Sequence, residues 1–232
     1  MAGIDRSLVS ALPLFAGLAP SSLDAILAGA HSAHYAKNST IFEEGEPADS
    51  FFVLLHGYVQ ASKLTPAGSR IVVRYVTPGE VFGVATAIAL KLYPATAVAV
   101  EDSVALAWPA ALWPHLVEQH PRLAANALQT VGSRLQETHA RVVELSTQQV
   151  ESRIAHALLR LAKQAGRPIP EGVEIDFPIS RQDVAEMTGT TLHTVSRTLS
   201  GWEAKGLIDG GRQRIVLRNP HALTMISTHS AA

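Results

Sequence analysis

The stretch FPISRQDVAEMTGTTLHTVSRTLSGWEAKGLIDGGRQRIVLRNP, residues 177–220, decides the fold of the C-terminal part of the chain. Ser180 followed three residues later by Asp183 is typical of a capping box, so a short helix is predicted to begin there. Gly189 is predicted to end this helix, and one of the two threonines that follow is predicted to cap a second helix that runs to Gly206. Two helices of about 8 and 14 residues joined by a short turn with glycine indicate a helix-turn-helix.

The segment after the second helix predicts a wing, and the segment before the first helix predicts a loop. After the second helix, LIDGGRQRIVLRN predicts two short strands that turn at Asp-Gly-Gly, residues 209–211, because glycine accepts the positive φ of tight hairpin turns. Before the first helix, RPIPEG at residues 167–172 is predicted to be a loop.

The charge distribution is compatible with a nucleic-acid surface in this region. Residues 1–145 contain 9 Lys and Arg against 12 Asp and Glu, whereas residues 146–232 contain 10 against 8. Between Thr191 and Arg218 five basic side chains stand against two acidic ones. An ordinary solvated surface could carry the same surplus, so charge alone does not decide between the two interpretations.

In a helix-turn-helix, the second helix presents its N-terminal side chains to base edges in the major groove of double-stranded DNA. Arg197 can form two hydrogen bonds with guanine, and Ser196 can touch a base edge or a thymine methyl group. Hydroxyl, amide and further guanidinium groups nearby suit phosphate oxygens. The predicted DNA-contacting residues are His193, Ser196, Arg197, Thr191, Thr194, Arg181, Gln182, Arg212 and Arg214.

The N-terminal half has a different texture. Residues 34–108 consist of short β-branched and aromatic runs separated by turn residues such as GEP, HG, PAG and PG. This pattern predicts many short antiparallel strands, arranged as a sandwich or a barrel.

A long helix is predicted after Pro121, because apolar residues recur at alternating spacings of three and four. Such a seam can pack against the β domain of the same chain or against a second copy of the chain, and its narrowness favours a homodimer. The seam residues are Leu128, Val131, Leu135, Thr138, Val142 and Leu145.

Several classes of function are not expected from the composition and motifs. The 232 residues include no Cys, which excludes disulfides and Cys-ligated zinc or iron–sulfur sites. The sequence contains no GxSxG, P-loop, HExxH or Rossmann motif, so an enzyme is not expected. The start of the chain is unlike a signal peptide and no stretch approaches the ~20 apolar residues of a membrane span, so we expect a cytoplasmic protein without a membrane partner.

The order of β domain, long helix, SRQDVAEMTG, TVSR and wing resembles the CRP/FNR superfamily of bacterial transcription regulators over essentially the whole chain. The segments GEPADSFFVLLHGYV, PGEVFG and ATAVAVEDS resemble its cyclic-nucleotide-binding-type β-roll. The resemblance implies an α+β fold with a sensory β-roll (1–116), a dimerisation helix (117–146) and a winged helix-turn-helix domain (147–232). It also implies a homodimer on a palindromic TTG-type site, with RNA polymerase as a further partner.

The resemblance also bears on the effector. In members that bind cyclic AMP, a Gly-Glu pair and an Arg-Ser pair hold the phosphate, and the matching positions here are Gly83-Val84 and Tyr93-Pro94. Cyclic AMP is not expected, because a buried phosphate would find no basic side chain at these positions. The four Cys of FNR-type oxygen sensing are absent as well.

The string TTLHTVSRTLSGWE, which places His193 where CRP and FNR have Glu, resembles the NnrR branch. This resemblance implies nitric-oxide-responsive control of denitrification genes, with haem as the sensing cofactor. With Cys absent, His is the first choice for the haem iron. We predict His56, which interrupts an apolar strand, with His34 as the second candidate; a His that bonds a carbonyl or water is the alternative. Two other functions stay open, an effector-free FixK-type regulator and a cyclic-nucleotide-type sensor that acts by protein contact.

Overall fold

A computed structural model describes residues 9–228, the side chain of Thr86 excepted. Its contacts divide the chain into two compact units. The first contains the residues up to Lys63 together with Tyr75–Glu137, and the second contains Leu64–Arg74 together with the residues from Thr138 onward. No helix within the described range combines the length and the apolar character of a membrane span.

Eight strands form the predicted β-roll. They are β1 His31–Tyr35, β2 Thr40–Phe42, β3 Ser50–His56, β4 Val59–Leu64, β5 Arg70–Val76, β6 Val81–Phe82, β7 Thr96–Ala99 and β8 Ser103–Pro109. One sheet has the order β1-β8-β3-β6, and the other has the order β2-β7-β4-β5.

Strand β3 is buried on both faces, which explains its continuous apolar sequence. On one face, the Phe51 ring stacks on Trp108 with 5.3 Å between the ring centroids. The indole N–H of Trp108 donates a hydrogen bond to the carbonyl of Ile26 at 2.8 Å. On the other face, Phe52 packs into the cluster between the two sheets.

The helices that accompany the roll include α1 Pro20–Ala28, α2 Trp113–Gln119 and α3 Pro121–Thr147. Proline is tolerated at the start of α3, because an N–H there would have no partner within the helix. Near this start, Leu123 is buried in the core of the first unit. The Asn126 side-chain amide donates to the carbonyls of Leu14 and Ala16, both at 2.9 Å.

The predicted seam of α3 lies at the surface of the single chain. Leu128, Leu135 and Val142 are 73%, 53% and 56% exposed. The side chains of α3 that enter the β-domain core belong to a different stripe, which includes Leu123 and Ala127. A long helix with an exposed apolar stripe is typical of a protein–protein interface.

The second unit continues with α4 Val150–Ala165, β9 Gly166–Ile169, β10 Gly172–Ile175, α5 Arg181–Thr188, α6 Leu192–Ala204, β11 Ile208–Gly211, β12 Arg214–Leu217 and α7 Pro220–Thr228. The four strands form one sheet with the order β11-β12-β10-β9. The prediction of a loop at residues 167–172 is wrong, since most of this segment belongs to the β9–β10 hairpin. Pro168 fits this hairpin because β9 is an edge strand, where a missing N–H is tolerated.

The wing turns at a different place from the predicted one. The Asp-Gly-Gly segment at residues 209–211 belongs to β11, and the turn falls at Arg212 and Gln213, where Gln213 has a φ of 56°. A Cβ on Gly210 would lie 2.1 Å from Glu203 Oε1. Glycine at this position therefore leaves room for the Glu203 carboxylate. Arg212 lies at the tip of the wing.

Candidate nucleic-acid interface

The first helix of the pair begins and ends as the sequence predicts. The hydroxyl of Ser180 accepts a hydrogen bond from the Asp183 N–H at 3.1 Å, and the Asp183 carboxylate accepts one from the Ser180 N–H at 2.9 Å. Gly189 has a φ of 62°, a left-handed conformation that favours glycine at a helix end. The capping box is confirmed.

Thr191 caps the recognition helix α6. Its hydroxyl accepts from the Thr194 N–H at 3.2 Å and lies 3.0 Å from the Thr194 hydroxyl. Val184 of α5 and Val195 and Leu199 of α6 are buried, and the two helices pack against each other. Both threonines that were predicted to contact DNA thus serve first to start the helix.

The side chains of His193 and Arg197 lie one turn apart on the first two turns of α6, and both are exposed. Ser196 is half-buried beside them. Within residues 9–228, no acidic side chain forms an ion pair with Arg197 or with Arg212 at the wing tip. Their guanidinium groups therefore keep their donors available for phosphate oxygens or base edges.

Arg181 and Gln182 of α5 have partners inside the protein. Arg181 donates to Glu203 Oε1 at 2.8 Å and to the Ser200 hydroxyl at 3.2 Å, which ties α5 to α6. The side-chain amide of Gln182 donates to Glu186 at 2.9 Å. Their predicted role at DNA phosphates stays a prediction, in addition to this observed role within the helix pair.

Arg214 also has an internal partner. Its Nε donates to Glu174 Oε1 at 2.5 Å, which joins β12 to β10, and its Nη1 lies 3.6 Å from Asp209 Oδ2. The hydrogen bond to Glu174 raises the pKa of Arg214. The two wing arginines are thus unlike each other, because Arg212 carries no such pair.

The sequence analysis missed Glu203. This residue holds Arg181, and its carboxylate lies so close to β11 that a Cβ at position 210 would displace it. The glycine was the one signal in the sequence, and it was interpreted as part of a turn.

The two candidate haem ligands lie on the strands that flank β8. His34 on β1 and His56 on β3 are both register partners of Val104. Both side chains are exposed. Among the residues that the structure describes, no three His, Cys, Asp or Glu side chains come together in a way that could hold a metal ion.

Packed aromatic rings surround the positions that match the cyclic AMP phosphate site. The Phe42 ring stacks on Tyr93 at 3.8 Å between centroids, and it lies 5.8 Å from Phe52. The Tyr93 hydroxyl donates to the Ser50 carbonyl at 2.7 Å, and burial raises the pKa of Tyr93 to about 12. A Cβ on Gly83 would lie 2.9 Å from the Phe52 ring.

Two segments match known families. Residues 32–120 match the cyclic nucleotide-binding domain, and residues 152–226 match the Crp-like helix-turn-helix domain. A global nitrogen regulator from Synechocystis sp. is 32% identical over 192 residues, which cover 81% of this chain and 84% of the relative. A cyclic AMP receptor protein from Thermus thermophilus is 29% identical, with 93% and 96% covered.

The fold is also similar to solved structures. The structure of FixK2 from Bradyrhizobium japonicum superposes with a TM-score of 0.76 at 25% sequence identity, over 87% of this chain and 99% of that one. These relatives are transcription regulators and not enzymes. Their similarity over most of the sequence, together with the two domain matches, shows that the chain belongs to the CRP/FNR family of DNA-binding transcription regulators.

Proposed function

We propose that the protein acts as a homodimer that binds a palindromic TTG-type operator and controls denitrification genes in response to nitric oxide. The observation that carries the DNA part is the exposed face of α6, where His193 and Arg197 lie one turn apart. The guanidinium of Arg197 can form two hydrogen bonds with guanine O6 and N7. Arg212 at the wing tip adds a cation for the phosphate backbone.

The exposed seam of α3 supports the homodimer. Leu128, Leu135 and Val142 are spaced by seven residues and are exposed in the single chain. Two copies that pack along this seam bury the stripe in the manner of a coiled coil. A two-fold dimer presents two α6 helices, and a palindromic site with half-sites about one helical turn apart matches that symmetry.

A charge placed in the seam tests the homodimer. We expect Leu135→Lys to dissociate the protein, because an ammonium group without a partner is costly to bury. The neighbouring Gln136→Lys is the matched control, since Gln136 is exposed and lies outside the seam. Analytical ultracentrifugation measures the mass of each, and a Leu135→Lys protein that stays dimeric contradicts the proposal.

RNA polymerase is the further partner that the proposal requires. Transcription from a template that carries the operator, with purified polymerase, tests this point. We expect the regulator to change transcript yield only when the operator is intact. An equal effect on a template with scrambled half-sites contradicts it.

The nitric oxide response rests on the recognition-helix segment TTLHTVSRTLSGWE, which resembles the NnrR branch. A nitrogen regulator among the relatives is in keeping with that direction. Operator binding measured under anaerobic conditions, with and without nitric oxide, tests the response. We expect tighter binding with nitric oxide, and an unchanged affinity contradicts this part of the proposal alone.

Haem is the cofactor that this resemblance implies, but His56 and His34 do not fit a buried haem. Both side chains are exposed, and a macrocycle held there would bury little apolar surface. A cavity of about 370 Å³ in the same unit is lined by His31 and by neither of these two residues. Addition of haem to the wild type and to the His34→Ala, His56→Ala double variant should give the same spectrum. A Soret band that is present in the wild type and lost in the variant would show that His34 or His56 holds the haem.

The packed rings next to Gly83 and Tyr93 favour a second candidate, a regulator controlled by its own abundance and not by a small effector. Where the phosphate of a cyclic nucleotide would lie in related proteins, the chain places Phe42, Phe52 and Tyr93 against one another. A phosphate there would lie against these rings and would find no Lys or Arg among the described residues that line the adjoining cavity. Operator binding by the protein without any added ligand, unchanged by nitric oxide, would favour this candidate over the first.

A further inference from the structure

Helix α5, the first helix of the helix-turn-helix, is held at both ends by arginines from outside the pair. Arg70 is the first residue of β5, Arg141 lies in α3 and Arg153 lies in α4. All three belong to the same compact unit as α5. We define these three residues as the arginine clamp.

Through Arg70, the clamp engages two carboxylates of α5, Asp183 in the first turn and Glu186 in the last. Arg70 Nε donates to Glu186 Oε2 at 2.7 Å, and Arg70 Nη2 donates to Asp183 Oδ1 at 3.1 Å. The other oxygen of Asp183 accepts from Ser180 in the capping box. One carboxylate therefore starts the helix and also anchors it to Arg70.

At the C-terminal end, the clamp engages backbone carbonyls. Met187 and Thr188 are the last two residues of α5, so no N–H within the helix donates to their carbonyls. Arg141 Nη2 donates to the carbonyl of Met187, and Arg153 Nε donates to that of Thr188 at 3.0 Å. Positive charge at this end of a helix also interacts favourably with its dipole.

Arg141 reaches a third segment with the same guanidinium. It donates to the carbonyls of Val73 at 2.6 Å and Val72 at 3.0 Å. The Arg141 side chain is half-buried, which lowers its pKa, and these carbonyl partners replace part of the water around its guanidinium. A lysine carries one nitrogen and lacks the planar fork that reaches separate acceptors at once.

Arg141 lies near the end of α3, so its contacts connect this helix with the helix-turn-helix. Helix α3 ends at Thr147 and α4 begins at Val150, so only two residues separate them. Helix α5 packs on α6, so whatever fixes the direction of α5 also fixes the recognition helix. Arg141 links α5 directly to residues 138–147 of α3.

We propose that Arg141 is a positioning residue that sets the direction of the recognition helix relative to the C-terminal part of α3, and thereby the half-site spacing that a dimer accepts. Arg70 and Arg153 complete the clamp from two further segments. The inference rests on the proposed binding of a palindrome by a homodimer. Arg141 would thus influence which half-site spacing is bound without contacting the DNA itself.

Spacer selectivity is the property that tests this role. The wild type first selects its operator from random duplexes, which defines the preferred spacer. The affinities of the wild type and of Arg141→Lys are then measured on that spacer, on spacers one base pair shorter and longer, and on a single half-site at low salt. Arg167→Gln is the control, because Arg167 forms two ion pairs, with Glu174 and Asp176, and none with α5.

We expect Arg141→Lys to bind the selected operator about tenfold more weakly, since charge-assisted hydrogen bonds are lost. We expect its affinities for the three spacers to fall within about threefold of one another, while single half-site binding stays unchanged. Arg167→Gln should retain the wild-type preference. Arg70→Gln, which removes only the exposed end of the clamp, should show a smaller loss of selectivity and covers the case in which Arg141→Lys fails to fold.

The possible results separate cleanly. A folded Arg141→Lys protein that keeps the wild-type spacer ratio overturns the inference, and so does an equal loss on all spacers and on the single half-site. If Arg141→Lys does not fold, an Arg70→Gln protein with the wild-type ratio overturns it. A wild type that selects no paired half-sites contradicts the proposed function itself and, with it, this inference.

Discussion

The recognition helix and the β-roll use their side chains in opposite ways. On α6, His193 and Arg197 are exposed and no acidic side chain among residues 9–228 pairs with Arg197. In the roll, the positions that match a nucleotide phosphate site are packed against aromatic rings. The exposed face of α6 can therefore meet a polyanion, whereas the matching position in the roll presents stacked aromatic rings and, in the described part of the chain, no Lys or Arg.

Membership of the family constrains the recognition helix and the β-roll unequally. Base recognition needs exposed donors at fixed places on a helix, so the recognition helix keeps them. A β-roll needs only a filled interior, and stacked aromatic pairs fill it and add about 0.5–1.5 kcal/mol each beyond burial. The effector can therefore differ between members while the DNA-binding geometry stays the same.

The most severe loss of DNA affinity is expected from a change on the exposed face of α6. Arg197→Ala should cost about 1–3 kcal/mol of binding free energy at each half-site, because two hydrogen bonds to guanine are lost. Titration of operator and scrambled duplexes measures this loss. Arg167→Ala is the control, and an equal loss on both duplexes by Arg197→Ala would remove Arg197 from base recognition.

Changes to the aromatic rings of the β-roll should reduce the stability of the fold. Phe52 is buried between the sheets, so Phe52→Ala should lower the free energy of unfolding by about 3–5 kcal/mol. Urea denaturation checks the value. Tyr93→Phe keeps the ring and removes only the hydrogen bonds with Ser50, so a loss of about 0.5–1.5 kcal/mol is expected. Equal losses in the two variants would contradict the packing argument.

The two wing arginines should differ in their contribution to DNA binding, because within residues 9–228 only Arg214 is paired with acidic side chains. Arg212→Ala should weaken binding to all sequences alike and lower the slope of log affinity against log salt by about one per half-site. Arg214→Ala should leave the salt slope close to that of the wild type, because Glu174 already occupies its guanidinium. A reversed order of the two slopes would exchange their assigned roles.

The smallest expected effect is that of cyclic AMP. A ligand that binds the folded state raises the melting temperature with its concentration. We expect millimolar cyclic AMP to leave the Tm unchanged, because no basic side chain stands at the matching positions and no Lys or Arg among residues 9–228 lines the cavity beside the rings. A Tm that rises with cyclic AMP concentration would show that the protein binds cyclic AMP and would contradict this prediction.

The parts of the fold set by local interactions could be predicted from the sequence. The capping box at Ser180, the end of α5 at Gly189 and the cap at Thr191 all depend on residues within three or four positions of one another. The heptad seam is equally local, since its spacing alone marks the exposed stripe of α3.

The parts set by distant contacts could not be predicted. The wing turn falls after Gly211 and not within residues 209–211, because these three residues pair with β12. The β9–β10 hairpin depends on pairing with β12, which two prolines in RPIPEG concealed. Arg141, which the sequence places beside the seam, instead bonds Met187, 46 residues away along the chain.

The most direct test of the account is a titration of the wild-type protein with a duplex that carries TTG-N8-CAA and with the same duplex whose two half-sites are scrambled. The account predicts that the dimer binds the palindrome at least about 10³-fold more tightly at physiological salt, as specific regulators do. Equal affinity for the two duplexes would contradict it, because the exposed face of α6 would then contribute charge without recognising sequence.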